Sequence, residues 1–333
     1  MAQPVDRTPR PVVIDTDGGV DDAVALWWAL TDPALDVVAI TIVWGNVDVD
    51  IATQSVLRVL HATGRHDVPV AVGARGPLQP APDLRPATFI HGDDGLGNAA
   101  GFPAPLRAVD EAATDLLARL VAERPGELTL VTLGPLTNIG VVVHDDPGFA
   151  RNVADLVVMG GSARRGGNAL PYGEANIAHD PIAAQRTVVA PWARPPLLIG
   201  LDVTLTATLR PEEFALLAER RNPAAVFLDA PLRFYREFGS TFTAPDTPCH
   251  DLLAVIAAAI PEIVLDAPVL PLAVDCGGDA AWGTTVVDFR APFFAALEGS
   301  TQSAAEGFAD WRIALGVDVD QFRAHVRTLF GAP

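Results

Sequence analysis

The sequence predicts an α/β fold: an open, mostly parallel, Rossmann-like sheet flanked by helices, with a small antiparallel extension late in the chain. Short runs rich in Val and Ile alternate with helical segments along most of the 333 residues, which is typical of a parallel sheet. Half of the residues are hydrophobic, so a large core is available. Because no repeat, low-complexity segment or linker divides the chain, we expect a single domain over residues 1–333.

The individual elements are predicted from apolar runs and the turn residues between them. Residues 11–15 form a short apolar run before a glycine-rich turn, which predicts a buried strand. A helix is predicted next, because Asp21 and Asp22 would lie in its first turn, where the helix dipole favours acids. Further strands are predicted at 35–43, 69–73, 127–133, 155–161 and 195–204, and an antiparallel pair at 271–276 and 284–289. Further helices are predicted at 48–64, 110–123, 136–143, 180–189, 211–220, 223–239, 250–260 and 319–330. The Pro- and Gly-rich residues 74–108 are predicted to be a functional or mobile loop.

Composition restricts the partners and the chemistry. The formal net charge of −18 argues against nucleic acid or an anionic membrane as a partner. Lysine is absent, which removes Schiff-base chemistry and a Walker lysine. Two cysteines, Cys249 and Cys276, are too few for a disulfide framework. The first residues lack a signal-peptide pattern, and the longest apolar run is too short to span a bilayer. We therefore expect a soluble cytoplasmic protein.

The stretch DTDGGVDD places four carboxylates, Asp15, Asp17, Asp21 and Asp22, around a Gly-Gly turn. Carboxylates this close cannot all stay ionised unless a positive charge compensates them. A helix N-terminus supplies about half a charge, and a divalent cation supplies more. Oxygen ligands without a neighbouring Cys or His favour Ca²⁺ or Mg²⁺. The plainer alternative is a helix N-cap with a solvated acidic face.

Three further segments carry polar side chains suited to a site. Their residues are His91, Asn168, Glu174, Asn176, His250 and Asp251. The first lies in the long loop, the next three lie in a Gly- and Pro-rich loop and could bind hydroxyl groups, and the last two open a predicted helix. Ordinary turns and helix caps use the same residue types. Ligands of parallel sheets bind beyond the carboxyl ends of the strands, where Asp15, Asn46, Leu133 and the loop after Gly160 are expected to converge.

The run VVIDTDGGVDDAVAL resembles the signature D-x-D-P-G-x-D-D-A of the inosine–uridine-preferring nucleoside hydrolase family. The similarity continues in the same order through WGN, IHGDDGLG, TLGPLTNI, VVMGG, GN…GEANI and HDLLAV. Each motif alone is weak, but the ordered set is specific. The resemblance implies Ca²⁺-dependent hydrolysis of the N-glycosidic bond of ribonucleosides to base and ribose, in nucleoside catabolism and salvage, by a homodimer or homotetramer.

The resemblance also implies a role for each residue of the site. The implied Ca²⁺ ligands are Asp17, Asp22, the carbonyl of Leu133 and Asp251. The implied ribose-binding residues are Asp21, Asn46, Asn168, Glu174 and Asn176. The implied base-side residues are His91, Phe234 and Phe238. Asp17 would also be the general base for the metal-bound water, Asp15 would support the metal site from behind, and His250 would protonate the leaving base.

General chemistry agrees with these implied roles. Cleavage of an N-glycosidic bond passes through an oxocarbenium-like state, which an acidic, oxygen-rich pocket stabilises. Bound calcium would orient the ribose hydroxyls and lower the pKa of its water. Protonation of the departing base needs an acid that titrates near neutrality, which suits a histidine.

The chain departs from the family pattern at several positions. Gly18 replaces a proline, which we expect to loosen the turn while keeping the carboxylate spacing. Ala175 replaces an aromatic residue and Trp282 an arginine. Phe234 and Phe238 stand where some relatives carry a tyrosine, and an i, i+4 pair of this kind serves core packing equally well. We expect these changes to leave the sugar chemistry intact and to alter base preference.

Two other functions are compatible with parts of the sequence. A haloacid dehalogenase-type Mg²⁺ phosphatase also begins with a strand that ends in D-x-D, with Asp15 as its nucleophile, but it needs a later basic residue that is normally lysine. That function leaves Asp21, Asp22 and the HDLLAV segment unexplained. The other alternative is a non-catalytic, Ca²⁺-dependent nucleoside or ribose binder, against which the presence of Asp17 and His250 argues.

Overall fold

The strands and helices of this computed structural model account for most of the residues it describes, which are 8–80, 84–99, 104–243, 246–278, 280–291 and 306–331. The strands are β1 (Arg10–Thr16), β2 (Leu35–Ile42), β3 (Val70–Val72), β4 (Thr129–Thr132), β5 (Asp155–Met159), β6 (Leu197–Ile199), β7 (Thr208–Leu209), β8 (Thr247–Pro248), β9 (Val264–Asp266), β10 (Val269–Val274), β11 (Thr285–Val287), β12 (Ala309–Ile313) and β13 (Gly316–Val317). The helices are α1 (Val20–Thr31), α2 (Val49–Thr63), α3 (Thr88–His91), α4 (Ala113–Glu123), α5 (Thr137–Asp145), α6 (Ala175–His179), α7 (Pro181–Val188), α8 (Leu201–Thr204), α9 (Pro211–Glu219), α10 (Pro223–Thr243), α11 (His250–Ala259) and α12 (Val319–Phe330).

Nine strands form one sheet in the order β11-β10-β12-β6-β5-β4-β1-β2-β3. Neighbouring strands from β3 through to β12 are parallel, whereas β10 is antiparallel to both β12 and β11. This arrangement confirms the predicted open, mostly parallel, Rossmann-like sheet and its late antiparallel pair. The strand order reverses between β1 and β4, which opens a crevice beyond their carboxyl ends.

Both faces of the sheet are covered, as a parallel sheet requires. Along β1, Val12 and Ile14 belong to one hydrophobic cluster and Val13 belongs to the other. The first cluster includes the apolar faces of α1, α2, α10, α11 and α12, and the second includes those of α4, α5 and α7. Because side chains alternate along a strand, Asp15 lies on the face that α5 covers.

Some elements differ from the sequence prediction. The long loop contains α3, while residues 81–83 and 100–103 of that loop lie outside the described residues. The predicted helix at 180–189 is confirmed as α7, and a short helix that was not predicted, α6, precedes it and meets it at Asp180. The short strands β7, β8, β9 and β13 and the sheet strand β12 were not predicted. Within the described ranges, no helix is long and apolar enough to cross a membrane.

Candidate active site

The acidic stretch forms the turn between β1 and α1, at the carboxyl edge of the sheet. Gly18 has a φ of +73°, which is a left-handed conformation that glycine adopts freely. The carbonyl of Gly18 accepts a hydrogen bond of 2.8 Å from the Ser55 hydroxyl. Asp22 helps to cap the N-terminus of α1, because its Oδ2 accepts a 2.8 Å hydrogen bond from the Gly19 N–H. The turn is therefore pinned to α2 and α1, whereas we expected the glycine to loosen it.

Asp17 is held in a narrow space between three loops. Its Oδ2 accepts a 2.8 Å hydrogen bond from the Asn46 N–H, and its Oδ1 accepts a 2.9 Å bond from the Asn46 side-chain amide. A Cβ added at Gly134 would lie 2.9 Å from the Asp17 Cβ, and one added at Gly45 would collide with the carboxylate. The loops after β1, β2 and β4 thus fix this carboxylate, as the predicted convergence requires.

A group of buried carboxylates surrounds this position. Asp21, Asp22 and Asp251 each offer one oxygen, and these three atoms lie within 4.8 Å of one another. Burial and the neighbouring carboxylates raise the pKa of Asp21 to about 7. The same two causes raise the pKa of Asp17 and of Asp251 well above the ordinary value. Asp21 Oδ1 is buried and has no hydrogen-bond partner among the described residues.

This donor set fits a hard divalent cation. All of the side chains are carboxylates, which such cations prefer, and each raises the cost of ionising its neighbours until a cation compensates them. Of the predicted ligands, Asp22 and Asp251 belong to the tight group, and Asp17 lies beside it with its oxygens bonded to Asn46. The Leu133 carbonyl accepts a 2.8 Å bond from the Asn176 side chain. Asp21, predicted as a ribose-binding residue, is the third member of the tight group.

Asp15 lies behind this group and is only 2% exposed. Its Oδ1 accepts hydrogen bonds from the Thr41 hydroxyl at 2.5 Å and from the Asn138 amide at 2.8 Å. Burial raises the pKa of Asp15 to about 7 in spite of these bonds. The carboxylate links β1 to β2 and α5, so it supports the turn rather than facing an open space.

The segment after β5 supplies three of the five residues predicted to bind ribose, Asn168, Glu174 and Asn176. Glu174 is the N-cap of α6, and its carboxylate accepts bonds from the N–H groups of Gly161, Asn176 and Ile177. Burial raises the pKa of Glu174. Asn176 is buried next to Leu133. Asn168 is exposed, and its Oδ1 accepts a 2.9 Å bond from the Ala175 N–H. The structure therefore places Glu174 and Asn176 in the buried part of the site and Asn168 at its rim.

The Trp282 indole, where the family usually has an arginine, packs behind this loop. Its N–H donates a 2.9 Å bond to the Ala178 carbonyl in α6, and the side chain is buried.

His91 reaches from α3 to the start of α1. Its Nδ1 accepts a 3.0 Å hydrogen bond from the Val20 N–H. Because Nδ1 is an acceptor, the ring is neutral and carries its proton on Nε2. Burial and the nearby His250 lower the pKa of His91 to about 3. Its Nδ1 lies 3.9 Å from Asp21 Oδ1, and two acceptors at this distance do not form an ion pair.

Tyr235 on α10 completes this side of the site and was missed by the sequence analysis. Its ring centroid lies 5.6 Å from that of His91, and its hydroxyl donates a hydrogen bond to Asp21. Burial raises the pKa of Tyr235 well above the ordinary value, so the hydroxyl stays protonated. The signal was helical spacing: Tyr235 follows Leu228 and Leu232 on the buried face of α10.

The two phenylalanines predicted on the base side lie further out. Phe234 packs against the loop of His91, because a Cβ on Gly97 would lie 2.8 Å from the Phe234 Cβ. The Phe238 ring meets that of Phe89 edge to face at 5.4 Å, and Phe89 is 64% exposed. Both predicted base-side phenylalanines are half-buried near α3.

His250 opens α11 beside Asp251. Its backbone N–H donates a hydrogen bond to Asp21, and its Nδ1 lies 2.8 Å from the Thr204 hydroxyl. Burial lowers the pKa of His250 to about 4. The structure thus brings the two predicted histidines, His91 and His250, to the same side of the carboxylate group.

Sequence comparison matches the chain to a family profile and to relatives whose names all describe nucleoside-hydrolysing enzymes. A family profile described as inosine-uridine preferring nucleoside hydrolase matches residues 12–324. The chain is 36% identical over 319 residues to a non-specific ribonucleoside hydrolase, RihC, of Salmonella enteritidis, covering 96% of this chain and 97% of the relative. It is 36% identical over 256 residues to a probable uridine nucleosidase 2 of Arabidopsis thaliana, covering 76% and 79%.

Solved structures agree with these sequence matches. The plant nucleoside hydrolase PpNRh1 superposes with a TM-score of 0.89 at 31% identity, covering 98% of this chain and 100% of that one. A purine-preferring ribonucleoside hydrolase from Gardnerella vaginalis superposes with a TM-score of 0.84 at 30% identity, covering 96% and 98%.

Proposed function

Because the chain belongs to the inosine-uridine preferring nucleoside hydrolase family, we propose that it hydrolyses the N-glycosidic bond of ribonucleosides with the help of a bound Ca²⁺. The products are the free base and ribose. The observation that carries the proposal is the buried group formed by Asp21, Asp22 and Asp251, with Asp17 fixed beside it at the switch point of the sheet.

In this proposal Asp17 removes a proton from the attacking water. The bonds from Asn46 fix the position of its carboxylate, and the surrounding carboxylates raise its affinity for a proton. A general base must be placed within hydrogen-bond reach of the proton it takes, so this rigid placement favours the role. The acidic surroundings also stabilise positive charge that develops on the sugar ring during bond cleavage.

His250 is the proposed donor of a proton to the leaving base. Because burial lowers the pKa of its ring to about 4, below the near-neutral value that this role needs, the role requires the neighbouring negative charge to favour the protonated ring. His250 lies next to Asp251 in the chain, and its backbone N–H is bonded to Asp21, so the ring is held close to the ribose side of the site. Asp21, Asn46, Glu174 and Asn176 are the proposed partners of the ribose hydroxyls. His91, with its proton on Nε2, is a proposed hydrogen-bond donor on the base side.

Asp17, Asp22, the Leu133 carbonyl and Asp251 would hold the calcium ion, and Asp21 is the third carboxylate of the buried group that Asp22 and Asp251 form. When bound, the ion supplies the missing positive charge, orients neighbouring hydroxyl groups and makes a water more acidic. The support for calcium over a softer metal is the donor set, which contains carboxylate and carbonyl oxygens only.

The direct test is ribose release from inosine, adenosine, guanosine, uridine and cytidine, before and after removal of metal with EDTA and return of Ca²⁺. We expect release that is lost with EDTA and restored by calcium. Asp17→Asn should lower kcat by about 10²- to 10⁴-fold, the usual contribution of a general base. The matched control is Asp50→Asn, because Asp50 is an exposed carboxylate that pairs with Arg75 and does not belong to the buried group.

Two outcomes would contradict the proposal. Failure of all five nucleosides with calcium present would remove the substrate class, and p-nitrophenyl phosphate would then be tested for phosphatase activity. That alternative has little support, because the Oδ1 of Asp15 already accepts two hydrogen bonds and the residue is buried. Turnover by Asp17→Asn within a few-fold of the Asp50→Asn control would remove the general-base role.

A further inference from the structure

The His250 imidazole has a side-chain partner, the Thr204 hydroxyl, to which the proposed function gives no role. The Thr204 hydroxyl lies 2.8 Å from the His250 Nδ1. Thr204 is the last residue of the short helix α8, which follows β6, and its side chain is completely buried. A buried hydroxyl at this distance fixes the plane of the ring, because rotation of the imidazole would break the bond.

The backbone around Thr204 is rigid. Its N–H donates to the Gly200 carbonyl and its own carbonyl accepts from the Ala207 N–H, both at 3.1 Å. The Ala207 carbonyl in turn accepts a 3.1 Å bond from the N–H of Cys249, the residue before His250. The hydroxyl and the histidine it contacts are therefore held by one continuous set of backbone bonds, and neither can shift without the other.

A hydroxyl is a suitable partner for a ring that gives up a proton. It can donate to an unprotonated Nδ1 and accept from a protonated one, so the contact survives a change in the charge of the ring. A carboxylate in this place would add a fixed negative charge and favour the charged ring. Thr204 therefore orients the ring without adding a charge.

We infer that Thr204 is a positioning residue that aims Nε2 of His250 at the leaving base. The inference rests on the proposed role of His250 in the preceding subsection. It predicts that loss of the hydroxyl harms only those substrates whose leaving group needs a proton. A nucleoside needs that proton, whereas a p-nitrophenyl riboside leaves as a stable anion and does not.

The same helix offers an informative comparison. Asp202, two residues before Thr204, accepts bonds from the N–H groups of Ala163 at 2.6 Å and Arg164 at 2.9 Å. These residues begin the loop that carries Glu174, on the proposed sugar side. Asp202→Asn should therefore affect nucleosides and the p-nitrophenyl riboside alike. Thr206→Val is the matched control, because that hydroxyl is exposed and bonds only to the Val203 carbonyl among its described contacts.

The experiment measures kcat/KM of the calcium-loaded enzyme for inosine, uridine and p-nitrophenyl riboside. Thr204→Val should lower the values for the nucleosides by about 10- to 100-fold, by analogy with the loss found when the hydrogen-bond partner of a metal-ligating histidine is removed. The value for p-nitrophenyl riboside should stay within a few-fold of wild type. Thr204→Ser keeps the hydroxyl and should restore most nucleoside activity, while Thr206→Val should behave as wild type.

Equal losses on both kinds of substrate in a folded Thr204→Val protein, or no loss on either, would overturn the inference. A second readout does not depend on turnover. In ¹⁵N spectra of histidine-labelled protein, the His250 Nδ1 signal, assigned with His250→Gln, should move in Thr204→Val and stay in place in Thr206→Val. If wild type releases no ribose from any nucleoside, the proposed function fails, and an unmoved His250 signal then refutes the positioning contact separately.

Discussion

At the scale of single residues, Gly18 shows how one position can follow a family signature in spacing and differ from it in conformation. The resemblance places a proline here, and proline is restricted to a φ near −65°. Gly18 has a φ of +73°, and a Cβ there would lie 2.7 Å from the Ala52 Cα. The carboxylate spacing was predictable from the sequence, but the left-handed turn was not, because it depends on α2 lying against the turn.

Gly18→Pro should therefore damage the protein although it restores the family residue. The ring cannot adopt the observed φ and removes the N–H that donates to the Thr16 hydroxyl. We expect a loss of more than about 1 kcal/mol in the free energy of unfolding and a fall in kcat/KM. Thermal unfolding and ribose-release assays check this, and wild-type values in both would show that the turn accepts the proline conformation.

His179 gives a pH-dependent prediction. Its Nδ1 lies 2.6 Å from the Ala175 carbonyl, so Nδ1 carries the proton, while Nε2 is buried without a partner among the described residues. Burial lowers the pKa of His179. Its contribution to stability is therefore complete above the unfolded pKa of about 6.5 and is lost as the pH falls towards the folded value, by up to about 1.4 kcal/mol per pH unit.

The comparison is with His179→Asn, whose amide nitrogen takes the place of Nδ1, so that it can keep an N–H for the Ala175 carbonyl, and which does not titrate. Urea unfolding at several pH values should show the difference in stability between wild type and variant changing in favour of the variant below about pH 6.5. A difference that stays constant with pH would show that protonation of His179 is not linked to unfolding.

At the scale of elements, the strands that were predicted correctly are those with a clear apolar run in the sequence. The strands that became β1, β2, β4 and β5 are apolar runs, and the antiparallel pairing of β10 with β11 follows from two short runs close in sequence. Strand β12 was missed because the charged residues Asp310 and Arg312 interrupt its apolar residues, so that it shows no continuous apolar run. It belongs to the sheet through pairing with β6 and β10, which are distant in the chain.

The packing of α5 on α7 is a second property that no local pattern reveals. A Cβ on Gly140 would lie 2.7 Å from both the Cα and the Cβ of Ala183. Gly140→Ala should therefore lower stability by about 1–3 kcal/mol through overpacking, although alanine favours helices by about 1 kcal/mol. Because α5 also carries Asn138, which bonds to Asp15, we expect kcat to fall as well.

Gly76→Ala is the control for this variant, because a Cβ at Gly76 meets nothing within 4 Å. Urea unfolding of both variants makes the comparison. A Gly140→Ala protein as stable as the Gly76→Ala protein would show that the two helices can separate without cost.

At the scale of the whole molecule, the protein carries a net negative charge and also a separate concentration of buried carboxylates. The formal net charge is −18, and the buried group adds carboxylates that repel one another at the junction of α1 and α11. The net charge of the surface is screened by any salt, whereas the buried group is neutralised by protons or by a cation that enters it. The spacing of the DTDGGVDD stretch predicted a cation site and the family resemblance added Asp251 to it, but the contribution of Tyr235 and Thr204 required the tertiary structure.

Calcium should therefore stabilise the fold far more than sodium chloride of equal ionic strength. At a calcium concentration about 100-fold above its Kd, the gain in unfolding free energy is about 2.7 kcal/mol. Scanning calorimetry of EDTA-treated protein with each salt measures this gain. Asp251→Asn should remove most of the calcium response, and an equal response to both salts in wild type would contradict a specific cation site.

The carboxylates of the site come from two places far apart in the chain, the β1–α1 turn and the start of α11. During synthesis on the ribosome, the first of these emerges early and the second only after most of the polypeptide has been made. Until then α1 lacks α11, one of the helices it packs against. A nascent or prematurely terminated chain that ends before Asp251 therefore exposes an apolar helix and an incomplete cation site, so this protein gains its chemistry in one late step of its own synthesis.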